Sequence, residues 1–505
     1  MTATIDRDRS FGYFVYPFLF TVPEIRPADG GATDKAPDDR FCLFANQVGD
    51  TKLDGKQIWT PWDVPANDLM PHVARFLRPE YDKPTGRFWQ LGNDIAQKLQ
   101  TNKIGWRMLR GKTAAPIPFT LGGDFVLQLA LFRHGVGFLT VSAKPASTDL
   151  GDWLAFLHDF RFMQHRSDVR VCAERETYDP VSKQKTRVAY CPLGVSGSTT
   201  DQSFWFMAVI EAVLKASGLG TSEDHGHDHV FTPGHTLPYA GLFVRGVAET
   251  EKAVTLHRLR NFFGPDQGAN ASAEDLCVTH PAHLTYARDQ WFILTLNGGS
   301  FLSFEDESTS ATAFQKEDLP RHARGVYFCA NLLVLYQRFA LARLSDRVAT
   351  KALDGGDVVW EAIRDDLLNF TARGYFTQAM QSDHHHRYYR KWQEVLQIPQ
   401  LYDEVRDEVR DMYERSTLRL RQRDDERERR EEKREKRLEE RLSLLGLLFA
   451  VPALIGCYLG INIRGYTSHE DGLSPIVVMC WLLGGCALAA LVYGLWARFR
   501  NQDDP

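Results

Sequence analysis

The last part of the chain constrains the fold most. A charged run, 421-RQRDDERERREEKREKRLEER-441, leads directly into an apolar span from Leu442 to Ile463. A short polar segment follows, and then a second apolar span from Pro475 to Trp496. Each span is about twenty-two residues, enough to cross a hydrocarbon core of roughly 30 Å. A water-soluble core has no ready place for two such helices at one end. The chain therefore reads as a large polar body ending in a membrane hairpin.

The rest of the sequence reads as water-soluble. Over 505 residues, 60 Lys and Arg stand against 65 Asp and Glu, for a net charge of −5. No basic face suited to nucleic acid stands out, and direct nucleic-acid binding is not expected. The eight cysteines are scattered and no Cys-x-x-Cys pair occurs. Neither a zinc ribbon nor a disulfide framework is indicated, and the usage fits a reducing compartment. Phe11 to Val22 is apolar but short and is interrupted by Pro17. It predicts a buried strand rather than a signal peptide, which leaves the N-terminal region in the cytoplasm.

Residues 1–395 predict an α/β cytoplasmic sensor domain. Asp124 to Phe132, the turn Arg133-His134-Gly135 and Val136 to Ser142 read as a hairpin. Thr148-Asp149 precedes Trp153, Leu154, Phe156, Leu157 and Phe160, the pattern of a capped amphipathic helix. Trp291 to Phe304 reads as strand, with Gly298-Gly299 as a turn or bulge. Val326 to Leu344 approaches membrane length, but Asn331, Gln337, Arg338 and Arg343 within it predict a buried core helix. The strand–helix alternation predicts sheet covered by helices. Polar loops are expected near 28–40, 180–190, 216–236 and 305–320.

A stalk helix is expected over 400–441. Pro399 and Pro452 bound about fifty residues of good helix formers, a rod of roughly 75 Å. Leu401, Val405, Val409, Met412 and Tyr413 recur at helical steps, so the first half can pack. The stretch Arg421 to Arg437 carries no apolar residue. Asp425 with Arg429, Glu426 with Arg430 and Glu432 with Lys436 support it at i,i+4 in the favourable order.

The hairpin is divided into a first transmembrane helix (442–463), an extracytoplasmic loop (464–474), a second transmembrane helix (475–497) and a cytoplasmic tail (498–505). Arg and Lys crowd the flanks, whereas the loop holds one Arg, which places both termini in the cytoplasm. Gly484, Gly485, Ala487, Ala489 and Ala490 give the second helix a small-residue face for close packing.

The first span closes on Gly460-Ile461-Asn462. A charged stalk, two terminal spans and Gly-x-Asn at the outer end of the first resemble the CorA superfamily of divalent-cation channels. That family carries Gly-Met-Asn, or Gly-x-Asn in zinc-transporting branches. The resemblance covers about residues 400–500 and implies a pentameric funnel conducting Mg²⁺, or Zn²⁺ and Co²⁺. Magnesium sheds its water reluctantly, so a selective pore is expected to bind the hydrated ion. Asn462 would supply one amide oxygen per subunit to that shell, and Gly460 would let the backbone turn. Two spans cannot enclose a pore, so a homo-oligomer in the bilayer is required. Helical steps back from Asn462 give Leu444, Leu448, Val451 and Ile455 as the expected pore stripe, or as the face that packs against the second span. Arg464 lies two residues past Asn462 and would repel cations at the outer mouth, where His469, Glu470 and Asp471 offset it.

Segments 135-GVGFLTVSAKPASTDLGDWLAFLHDFRF-162 and 332-LLVLYQRFALARLS-345 resemble CorA-like proteins of type III CRISPR systems. That likeness implies a second reading, an antiviral membrane effector opened by a nucleotide second messenger. A third reading is a non-conducting anchored interaction protein. His225, His227 and His229 alternate with acids in EDHGHDH, a pattern able to bind transition metals, though a solvated loop explains it as well. His384, His385 and His386 are consecutive and point apart on a helix, so a shared metal is not expected there. No HExxH, nucleophile elbow, P-loop or Rossmann glycine pattern occurs, and an enzyme is not expected.

Overall fold

The computed structural model describes the chain outside residues 1–2, 23–38, 66, 79–82, 101–103, 112–113, 165–168, 179–184, 196–201, 220–233, 265–269, 306–311, 352–356, 467–479, 482, 486, 489, 492–493 and 495–505. Two compact units emerge, Met1–Tyr413 and Glu414–Pro505.

The first unit is built on a mixed sheet of fourteen strands. Its long path runs Lys185–Ala189, Val169–Tyr178, Ile104–Arg110, Ile117–Leu121, Val136–Pro145, Phe11–Leu19, Leu237–Arg245, Gly298–Glu305, Gln290–Thr295 and His283–Ala287. Neighbours are antiparallel except Leu237–Arg245 and Gly298–Glu305, which run parallel. The sheet forks at Val136–Pro145. One edge of that strand pairs with Phe11–Leu19, and the other pairs first with Leu127–Phe132 and then with Ile117–Leu121. Leu127–Phe132 leads on to Gly86–Leu91 and Trp59–Pro61.

Period-two alternation divides the core between the two faces of this sheet. On the central strand, Phe11, Tyr13 and Val15 join one apolar cluster while Phe14 and Tyr16 join the other. The first face is covered by Pro71–Leu77, Phe328–Lys351, Asp357–Arg373 and Asp383–Val395. The second is covered by Arg40–Gly49, Asn93–Gln100, Leu150–Phe160, Met207–Ala216 and Glu249–Asn261. A mixed α/β body with helices on both faces of the sheet results. A strand buried on both faces must be apolar throughout, which is why Phe11–Leu19 reads as a continuous run rather than an alternating one.

Pro17 is accommodated within that central strand by where the neighbour stops. Amide groups alternate between strand edges, and Phe20 donates to Gly135 at 3.0 Å, so the even residues serve the Val136–Pro145 side. Pro17 faces the other side, where Leu237–Arg245 begins at Leu237 opposite Val15. The missing N–H forfeits no ladder bond there.

The predicted hairpin is present as Leu127–Phe132 and Val136–Pro145, with Gly135 at φ +73° in its turn. The predicted capped helix is Leu150–Phe160, whose Asp149 side chain accepts the Asp152 amide at 3.0 Å. Trp291 to Phe304 resolves into two strands joined at Gly298, which stands at φ +142°. Phe314–Lys351 is the one described helical segment long and apolar enough to cross a membrane, and 78% of its most apolar window is buried. Its place is the core. Asn331 and Gln337 within it are buried; Gln337 is hydrogen-bonded through both ends of its amide, whereas the Asn331 Oδ1 has no hydrogen-bond partner.

One helix, Ile398–Tyr466, follows. Pro399 falls in its first turn, where a missing N–H costs nothing. Ile398, Val405 and Val409 are buried, so the compact unit extends past residue 395 to Tyr413. In the second unit, Glu426 pairs with Arg430 at 3.6 Å in the expected i,i+4 order, and Asp424 pairs with Arg427 at 3.9 Å. The helix passes through Gly460-Ile461-Asn462 without interruption. The backbone turn expected at Gly460 is absent: helical hydrogen bonding continues to Tyr466, four residues past Asn462.

Candidate functional site

The C-terminal helix carries the residues singled out in the sequence. Leu444, Leu448, Val451, Ile455, Gly460, Ile461, Asn462 and Arg464 all lie on its helical backbone. His469, Glu470 and Asp471 lie outside the described residues, as do His225, His227 and His229. Of the second apolar span, the described residues between Cys480 and Gly494 are helical.

The apolar side chains of this unit are open. Leu442, Leu445, Phe449 and Leu454 are 66%, 50%, 69% and 70% exposed. Trp481, Leu483, Leu488 and Leu491 are likewise mostly exposed. The charged stretch before them is solvated throughout.

The base of the same helix is latched to the sheet body. Tyr402 stacks on Tyr375 at 4.3 Å between ring centroids, and its hydroxyl shares a hydrogen bond with Thr371 at 3.0 Å. Ser345 donates to Glu408 at 3.5 Å, and the Arg364 guanidinium lies 4.5 Å from the Tyr413 ring centre. Behind this latch is a buried polar network. The Gln337 amide donates to the Gly374 carbonyl at 2.9 Å and to the Tyr389 hydroxyl at 2.8 Å, and Gln393 donates to Gln337 at 3.0 Å. The Tyr389 hydroxyl donates onward to the Phe376 carbonyl at 2.7 Å. With every partner satisfied, such a network fixes one helix arrangement. The sequence marks the apolar stripe of the stalk base but not these network partners, which come from two helices and the connection between Arg373 and Asp383.

A second polar knot lies at the hairpin turn. His134 shares a 2.6 Å hydrogen bond with the Tyr336 hydroxyl through Nδ1, and its carbonyl accepts from Arg343 at 2.6 Å. Burial first, and then the charges of Arg133, Arg343, Arg347 and Arg373, push its pKa down to about 3. The imidazole is therefore neutral at physiological pH.

The three consecutive histidines go to different neighbours, as expected from helix geometry. His385 pairs with Asp68, His384 lies beside the Tyr286 ring, and the His386 Nδ1 is buried without a hydrogen-bond partner. Among the described residues, no group of three or more His, Cys, Asp or Glu is arranged to hold a metal ion.

Comparison with known proteins finds no matching family model, no matching curated protein and no matching solved structure.

Proposed function

We propose that the chain is an oligomeric membrane channel or transporter for divalent cations, Mg²⁺ or Zn²⁺ and Co²⁺, gated through its cytoplasmic domain. One observation carries the reading. The helix that begins latched into the sheet body ends in an apolar segment whose large side chains stand open, and that segment bears Gly460-Ile461-Asn462. By contrast, the most apolar window of the helix Phe314–Lys351 is 78% buried. In this reading several copies, five by the family resemblance, surround a pore. Asn462 presents an amide oxygen from each copy to a hydrated ion, and Arg464 tempers cation entry. Rearrangement of the helices that hold Tyr402 and Glu408 is the route by which the body biases the pore, provided a ligand binds open and closed states unequally.

A second reading, a membrane effector opened by a nucleotide, is favoured by a cavity of about 390 Å³ in the sheet body. Reconstitution in liposomes separates the two. Flux of Mg²⁺, Zn²⁺ or Co²⁺ without nucleotide, inhibited by cation on the cytoplasmic side, supports the first. Flux only with nucleotide supports the second. Monomeric behaviour in detergent with no flux under either condition refutes both. Under the first reading, Asn462→Ala changes the Mg²⁺ to K⁺ flux ratio while the oligomer stays intact.

A further inference from the structure

The three consecutive histidines take no part in the proposed pore, yet their placement has a physical consequence. His384, His385 and His386 occupy the first turn of the helix Asp383–Val395, directly after Ser382 at its N-cap. A helix N-terminus carries partial positive charge and disfavours a cation. Three side chains able to take up a proton near neutral pH therefore stand at the helix end least suited to it.

Asp68 is their counter-charge. Its carboxylate accepts from the Ser382 hydroxyl and pairs with His385 through Nδ1. The backbones are tied as well: the Gln381 amide donates to the Asp68 carbonyl at 2.8 Å, and the Met70 amide donates to the Ala379 carbonyl at 2.8 Å. A third segment closes on this pair. The His322 ring stands edge-on to His385 with centroids 5.9 Å apart, and Tyr327 meets His385 edge-on at 4.7 Å. His322 lies in the short turn Leu319–His322, between two π-helical turns, Phe314–Asp318 and Ala323–Tyr327. Such turns interrupt regular helical bonding and recur at functional sites.

The charges around the cluster cannot absorb a second cation. Asp68 is already shared between Ser382 and His385, and Asp318 is engaged by Arg321. Asp383 and Arg387 on the helix itself are exposed. Burial first, and then the charges of His385 and Arg321, hold the His322 pKa below its ordinary 6.5 against the opposing pull of Asp318 and Asp68. The closed arrangement is therefore fully favoured above pH 6.5 and loses that advantage as pH falls. The far end of the same helix reaches the C-terminal helix. Gln393 belongs to the amide network behind the latch, and only Leu396 and Gln397, the latter at φ +54°, separate Val395 from Ile398.

We propose that His322, His385 and Asp68 form a proton-sensitive clasp. At neutral pH it holds Leu319–His322 and the start of Asp383–Val395 to the segment at Asp68. Protonation of His322 opens it, and acidification thereby loosens the mount of the C-terminal helix. The inference concerns the sheet body and stands whether or not the chain conducts ions.

The test is hydrogen–deuterium exchange of the full chain in detergent at pH 7.5 and 5.5, with rates corrected for the intrinsic pH dependence of amide exchange. Protection of residues 314–327 and 379–388 is expected to fall by roughly tenfold at the lower pH, while the strands Phe11–Leu19 and Val136–Pro145 keep theirs. His322→Gln and His322→Phe, neither able to take up a proton at that position, should both hold their protection at pH 5.5. Asp68→Asn, which removes the counter-charge, should show the loss already at pH 7.5. Unchanged protection of both segments in the wild type overturns the proposal. So does a loss spread evenly over the whole body, which would mark general acid destabilisation. A loss of wild-type size in a properly folded His322→Gln or His322→Phe overturns it too, as does full protection of Asp68→Asn at both pH values.

Discussion

Acidification should unfold the sheet body partly through one histidine. His134 sits in the turn between two central strands, with its Nδ1 bonded to Tyr336 and its Nε2 buried without a partner. Its pKa is held down to about 3, against 6.5 for the unpacked side chain. Protonation is therefore favoured in the unfolded chain over the whole interval between these values. The sign follows: the stabilisation is complete above pH 6.5 and is lost as pH falls toward 3. Between pH 7.5 and 4.5 the loss spans about two pH units of the interval, or about 3 kcal/mol from this group. For a unit of 413 residues, an unfolding entropy of roughly 0.9 kcal/mol per kelvin converts that to about 3 °C. His134→Gln keeps a hydrogen-bonding group for Tyr336 and removes the titration. Intrinsic-fluorescence melting of wild type and variant at both pH values gives the comparison. Wild type is expected to lose about 3 °C more than the variant on acidification. Equal losses in the two proteins would refute the assignment of that proton uptake to His134.

Gly135→Ala should destabilise the same turn by about 2 kcal/mol or more, read by denaturant unfolding. Its φ of +73° is strained for an L side chain, and a Cβ there would meet the Arg343 guanidinium and the Phe20 carbonyl. Gln337→Leu should cost about 2–4 kcal/mol, because the Gly374 carbonyl loses its donor in a buried site and the Gln393 amide loses one of its acceptors. The pair Gln337→Leu with Gln393→Leu should cost less than the sum of the two single changes, and strict additivity would count against a coupled network. Phe449→Asp places a carboxylate in the apolar segment, at about 2.5–3.5 kcal/mol on an insertion scale. Its fraction resistant to alkaline extraction from membranes should fall, and unchanged retention would argue against a spanning role.

Much of the fold was legible because local rules suffice for it. A φ > 0 glycine between two apolar runs marks the hairpin at Gly135, and Asp149 before an amphipathic run marks the start of Leu150–Phe160. Pro17 inside an apolar run was readable as strand only because of the residues around it. Why the strand tolerates it depends on where Leu237–Arg245 stops. The turn expected at Gly460 fails for the opposite reason. Glycine permits a turn but does not impose one, and helical hydrogen bonds running to Tyr466 outweigh that freedom. The cavity left no local signal. Tyr13, Trp62, Gln90, Gln128 and Arg324 come from five separate segments, and each alone reads as an ordinary strand, loop or helix residue.

The sequence by itself determined the charged helix, the apolar C-terminal segment and the strand and helix starts, since each depends on neighbours within a few turns. Polar residues within Val326 to Leu344 already marked it as a core helix; the tertiary structure decided what covers it. Phe328–Lys351 joins Pro71–Leu77, Asp357–Arg373 and Asp383–Val395 in one apolar cluster on a face of the sheet. Tertiary structure also decided that two glutamines meet across a strand pair while one keeps an unpartnered oxygen. Burial and register are properties of contacts between distant parts of the chain, and no window of sequence contains both partners.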